Sequence, residues 1–133
     1  MLFRSGFGTL GYALPAAIGA KVARPDVPVV CIIGDGGLQF TLPELASAAD
    51  AGAPIIVLLW NDQRYGEIED YMIRNQIAPL GVKLHATDFS AAAKAFGAVH
   101  VAARSLDEVK AAMLAAVKHP VTTVIEMDAS YYA

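Results

Sequence analysis

An α/β fold, a parallel sheet with helices on both faces, is predicted from three observations. Apolar runs of strand length alternate with helical periodicities along the whole chain. Each gap between successive runs is long enough for a crossover helix, so a parallel sheet is the economical connection. Two of the runs, Val27 to Ile33 and Ile55 to Trp60, end directly in acid-bearing turns, Gly34-Asp35-Gly36-Gly37 and Asn61-Asp62. In open α/β sheets such turns collect at the carboxyl edge of the strands, where ligands bind.

The elements follow in order. Pro15 suits the first turn of a helix running to about Val22, and Arg24-Pro25-Asp26 stops it before the first strand. Thr41 and Glu44 have the spacing of a capping box, Leu42, Leu45, Ala46 and Ala49 share a face, and Gly52 fits a terminator. That pattern predicts one crossover helix between strands 27–33 and 55–60. A helix is expected from about Gly66 to Arg74, then an irregular stretch through Pro79 and Gly81. Asp88 can cap a helix through Phe96, closed by Gly97 ahead of a strand at Val99 to Ala102. Ser105 and Glu108 form a second capping box, opening a helix to about His119, and Val121 to Met127 reads as the last strand.

With 133 residues, a single domain (1–133) is expected. The apolar fraction of 56% includes 25 alanines, so it overstates bulky apolar surface, though some surplus can still face a partner. A net charge of −3 offers no basic stripe for nucleic acid. No apolar run approaches the ~20 residues that span a membrane. The single cysteine, Cys31, lies inside a predicted buried strand, which excludes a disulfide or zinc framework and fits a cytoplasmic setting.

Two acids at neighbouring strand ends can hold a hard divalent cation, since magnesium takes one or two carboxylates together with phosphate oxygens and water. Gly36 and Gly37 leave their backbone N–H groups open to a phosphate. A metal-bound diphosphate is the simplest ligand on this reading, although Asp35 alone would be read as a helix cap. The run Gly6-Phe7-Gly8-Thr9-Leu10-Gly11 has dinucleotide-fingerprint spacing, but no strand can precede Gly6, and Asp26 lies before the next strand instead of at its end.

Taken together, Gly34-Asp35-Gly36, the hydrophobic strand ending in Asn61-Asp62, and the upstream stretch from Gly6 to Ala20 resemble the cofactor-binding domain of thiamine diphosphate-dependent enzymes. The resembled branch contains acetohydroxyacid synthase, pyruvate oxidase and benzoylformate decarboxylase. The resemblance implies magnesium held by the side chains of Asp35 and Asp62 and by the backbone carbonyl of Arg64. It implies diphosphate contacts from Gly36 and Gly37, aided by Tyr65 and Gly66, with Asn61 supporting the turn. It also implies that the carbonyl of Gly8 accepts from the 4′-amino group of the cofactor, and that Leu10 wedges its two rings into a bent shape.

One departure stands at Asp62, where the family usually has asparagine. The added charge can tighten the hold on the cation, be offset by Arg64, or mark an altered site. The activating glutamate of the family lies on another domain, and no residue here matches it. The resemblance therefore implies the carboxyl-terminal fragment of a larger 2-oxo acid decarboxylase or carboligase, partnered by missing N-terminal domains and a second subunit. The rival is a non-catalytic module that binds cofactor or diphosphate for regulation or assembly. Of the remaining residues, Trp60 reads as core and Leu14 and Tyr12 as exposed with Leu10 near the open site wall. Glu69 reads as a solvated helix start, Glu67 more as that than as a substrate contact, and His85, His100 and His119 as surface or strand histidines.

Overall fold

The computed structural model describes residues 9–132. Strands β1 (Val30–Gly34), β2 (Ile56–Asn61), β3 (Val99–Ala103) and β4 (Thr123–Asp128) form one sheet in the order β1-β2-β4-β3, with every neighbouring pair parallel. The predicted α/β class and strand positions hold. The first strand begins at Val30 and not Val27, because Pro28 has no N–H for a ladder and the carbonyls of Pro25 and Val27 are taken by the Lys21 ammonium at 2.9 and 2.8 Å.

Helices α1 (Ala13–Ala23), α2 (Asp35–Thr41), α3 (Glu44–Asp50) and α5 (Phe89–Ala95) cover one face of the sheet. Leu14, Leu38, Leu45 and Phe89 meet Cys31, Ile33, Val57, Leu59 and Val124 there, forming the larger core. Helix α6 (Leu106–Ala116) covers the other face only over β3 and β4, where Val109 and Ala116 meet Ile56, Ala103 and Ile125. Over β1 and the carboxyl end of β2 no described helix covers that second face, leaving Ile32 72% and Trp60 40% exposed. Trp60 is therefore not core. Its ring lies 5.8 Å from that of Tyr132, in the single 3-10 turn Ala129–Tyr131 that follows β4 and its flanking residue.

The crossover between β1 and β2 is two helices instead of one. Helix α2 starts directly at Asp35, and Pro43, which has no N–H to donate, breaks the hydrogen-bond ladder before α3. The predicted Thr41/Glu44 capping box is not made: the Thr41 hydroxyl donates to the carbonyl of Gly11 at 3.0 Å, and α3 has no side-chain cap. The other two helix starts form as expected. Asp88 accepts from the Ala91 N–H at 2.8 Å, and Ser105 from the Glu108 N–H at 3.2 Å. The Glu108 carboxylate closes back on the N–H of Arg104, one residue earlier than a standard box. Helix α4 (Gly66–Arg74) has the predicted bounds and buries none of its residues. Cys31 is core, and burial pushes its thiol up to about 12, so it is an inert apolar residue.

Candidate functional site at the carboxyl edge of the sheet

Two turns leave the sheet side by side, since Gly34 of β1 is in register with Trp60 of β2. In the first, the chain passes from strand into helix with no intervening loop, and Gly34 is the cap residue of α2. Asp35 is thus the first helical residue and not a cap. It is buried, and the backbone N–H groups of Gly36 and of Gln63 on the second turn favour its charged form. Burial raises the Asp35 carboxyl above the ordinary aspartate range, the Gly36 N–H opposes that shift, and the negative charge of Asp62 adds to it. The two acids named from the sequence are brought into electrostatic contact.

The glycines of this turn are required by close approach. A Cβ on Gly36 would lie 2.6 Å from the Tyr65 ring, and one on Gly37 would lie 3.2 Å from Ile33. Tyr65 therefore lies over the glycine turn, which joins the predicted contributors Gly36, Gly37, Tyr65 and Gly66 into one neighbourhood. Upstream, Gly11 has φ +83°, and its backbone comes so near α2 that a Cβ would sit 2.8 Å from Thr41. Gly8 lies outside the described residues. Leu10 is 41% exposed, as a residue facing a ligand must be, and Tyr12 is exposed as well. Leu14, expected beside them, is instead fully buried in the core because it falls on the inward face of α1.

The second turn is organised around charge. Gln63 takes the left-handed region at φ 56°, which turns the chain sharply after Asp62. The Arg64 guanidinium pairs with Asp62 at 3.1 Å, with Glu69 at 2.8 Å and with Asp70 at 3.5 Å. Of the three accounts of Asp62, this geometry favours an offset by Arg64. Glu69 is consequently not a solvated helix start: its side chain is only 13% exposed and bound to Arg64. Glu67 is exposed. The backbone of Arg64 bridges to Lys83, and the Tyr65 N–H donates to the carbonyl of Val82 at 2.8 Å, so the irregular stretch pins the corner from outside.

Asn61, expected from the family resemblance to support the turn, reaches across the sheet. Its side chain is buried, and its amide donates to Glu126 on β4 at 2.6 Å. His100 on β3 holds the other oxygen of the same carboxylate at 2.7 Å. Glu126 was not among the residues expected here; its available signal is that it stands as a lone acid inside the run Val121 to Met127. His85 and His119 have no part in this site. Among the described residues, no group of three or more His, Cys, Asp or Glu side chains could hold a metal ion. A cation here would rest on two carboxylates and a carbonyl.

Residues 1–127 match the family described as "Thiamine pyrophosphate enzyme, C-terminal TPP binding domain". A probable 2-ketoarginine decarboxylase of Pseudomonas aeruginosa is 39% identical over 95% of this chain and 23% of its own length. The mitochondrial acetolactate synthase catalytic subunit of Saccharomyces cerevisiae is 34% identical over 92% of this chain and 18% of its own. Among solved structures, the thiamine diphosphate-dependent 4-hydroxybenzoylformate decarboxylase of Rhodococcus jostii superimposes with a TM-score of 0.83 at 31% identity, over 90% of this chain and 23% of that one. The chain spans about a fifth of the length of such relatives. The glycine turn, the paired strand ends and these matches agree: this chain belongs to the thiamine pyrophosphate enzyme family, as a C-terminal TPP-binding domain.

Proposed function

We propose that this chain binds magnesium thiamine diphosphate at the carboxyl edge of its sheet, as part of a 2-oxo acid decarboxylase or carboligase. The observation that carries the reading is Asp35: a buried carboxylate beside a second acid, with backbone donors but, among the described residues, no cationic side chain paired with it. Such an arrangement is unfavourable without a cation and fits one well.

Asp35 and Asp62 supply the side-chain ligands, and the carbonyl of Arg64 the third. The guanidinium of Arg64 takes one Asp62 oxygen, so the added charge at this position is shared out before a diphosphate arrives. Gly37 offers its N–H to the diphosphate, and Gly36, whose N–H favours the Asp35 carboxylate, keeps the backbone free of a side chain there, beside Tyr65 and Gly66. By the family resemblance, Gly8, which lies outside the described residues, would receive the 4′-amino group, and the exposed Leu10 would lie against the cofactor rings. When bound, the cofactor supplies the electron sink for loss of carbon dioxide from a 2-oxo acid, and the protein supplies position and electrostatics.

The activating glutamate belongs to the N-terminal domains and a second subunit. The open face over Ile32 and Trp60 supports a setting in which other segments complete the sheet's cover. The test is calorimetry of the purified chain with thiamine diphosphate. Binding is expected with magnesium and much weaker binding without it. Equal binding in both conditions would remove the metal from the site. Carbon dioxide release from a panel of 2-oxo acids is expected only when the N-terminal domains are co-expressed.

A further inference from the structure

The face of the sheet that carries the larger core is apolar except at its carboxyl end. There Glu126 reaches forward to Asn61 on β2 and back to His100 on β3, at 2.6 and 2.7 Å. The register makes both contacts diagonal: Glu126 is opposite Leu59 on one side and Ala102 on the other. The side chains are well shielded, 12% exposed for His100 and 17% for Glu126. Withdrawing a carboxylate from water in this way is costly, and an apolar residue would pack against Leu59 and Val124 without that cost. Each oxygen of Glu126 thus has a partner within the sheet.

Its effect passes through Asn61. Only the amide nitrogen can face the carboxylate, because the reverse orientation would set two acceptors against each other. The amide is therefore locked, and Asn61 Oδ1 is left buried with no partner among the described residues. The next residues along the chain are Asp62 and then Gln63, which takes the left-handed region and whose backbone N–H favours the charged Asp35 carboxylate. A loose Asn61 would free this corner, together with the contact that joins the two turns.

We infer that Glu126, anchored by His100, is a positioning residue that fixes the Asn61–Gln63 corner in the orientation the site requires. Its importance for cofactor rests on the reading given under Proposed function, but its action on the corner does not. Two measurements on the full 133-residue chain separate these.

In the ligand-free protein, Glu126→Leu is expected to speed amide exchange at Gln63 by about tenfold beyond any change at Val57 and Ile125, the scale of one buried polar group left unpaired. Glu126→Gln, which keeps an acceptor for Asn61, should restore most of the protection. Equal acceleration at all three amides would make Glu126 a stabiliser of the sheet only and overturn the inference. Should Glu126→Leu fail to fold, His100→Gln decides by the same comparison, with a smaller rise of the same sign at Gln63. In calorimetry with magnesium and thiamine diphosphate, Glu126→Leu should weaken binding, and this loss should vanish in an Asn61→Ala background while the change in Tm persists. An undiminished loss in that background would show that Glu126 does not act through Asn61. A parent chain that binds no cofactor yet shows the selective exchange effect would sink the proposed function and leave the inference standing.

Discussion

The two turns that make the site solve the same problem in opposite ways. The turn after β1 buries an acid and surrounds it with backbone N–H groups, with the charge of a second acid close by. The corner after β2 keeps its acid partly exposed and answers it with a guanidinium that is itself shared among three carboxylates. One turn is electrostatically unfinished, and the other is balanced by its own side chains. The lesson is that a cation contributes most at Asp35, while the corner sets how much negative charge a diphosphate meets.

The sharpest way to break this contrast is Asp35→Ala. Magnesium-dependent binding of thiamine diphosphate should fall by at least about 100-fold, ~2.7 kcal/mol, while circular dichroism stays that of the parent. A mutant that binds as the parent does would reduce Asp35 to a residue of the turn alone.

Next in size is Gly36→Ala, which tests whether the two turns depend on contact with each other. The new methyl would meet the Tyr65 ring at 2.6 Å, so either the ring or the turn must move. A loss of roughly 1–3 kcal/mol in denaturant unfolding is expected. Pairing it with Tyr65→Ala should recover part of that loss. No recovery would mean that the turn itself, and not the ring, is strained.

Asp35→Asn should act in the opposite direction. A carboxyl whose folded-state pKa is raised contributes stability below its unfolded pKa and loses it as pH rises through the folded value. At neutral pH, without metal, the asparagine variant should therefore melt at a higher temperature than the parent. The difference should close as pH falls below the ordinary aspartate range, and magnesium should stabilise the parent only. A lower melting temperature for the variant at neutral pH would mean that the backbone N–H bonds outweigh burial and the Asp62 charge.

The smallest effect belongs to the balanced corner. Arg64→Ala should weaken cofactor binding by a few-fold, and this loss should shrink in an Asp62→Asn background, where no added charge needs an offset. Equal losses in both backgrounds would show that Arg64 serves α4 through Glu69 and not the charge of Asp62.

Much of this was legible in the chain. Alternating apolar runs, the glycine turn and the caps at Asp88 and Ser105 are local signals, readable because they depend on residues within a few positions. Local spacing misleads where a distant backbone group, a nearby opposite charge or the inward side of a helix takes a group that it had assigned. Thr41 was drawn from its capping box to the carbonyl of Gly11, Glu69 was drawn to Arg64, and Leu14 fell on the buried side of α1. Trp60 is exposed because burial of an alternate strand residue depends on whether a helix lies over it, and no described helix lies over that end of β2.

By itself, the sequence determined the succession of strands along the chain, the two acidic turns and the family, because backbone preferences and motif spacing are written along the chain. Only the tertiary structure decided which side chains cross between elements. Glu126 and His100 lie far from Asn61 in sequence, and their meeting depends on the strand order, with β4 placed between β2 and β3. Register then decides which residues of those strands share a face, and no local pattern specifies either one.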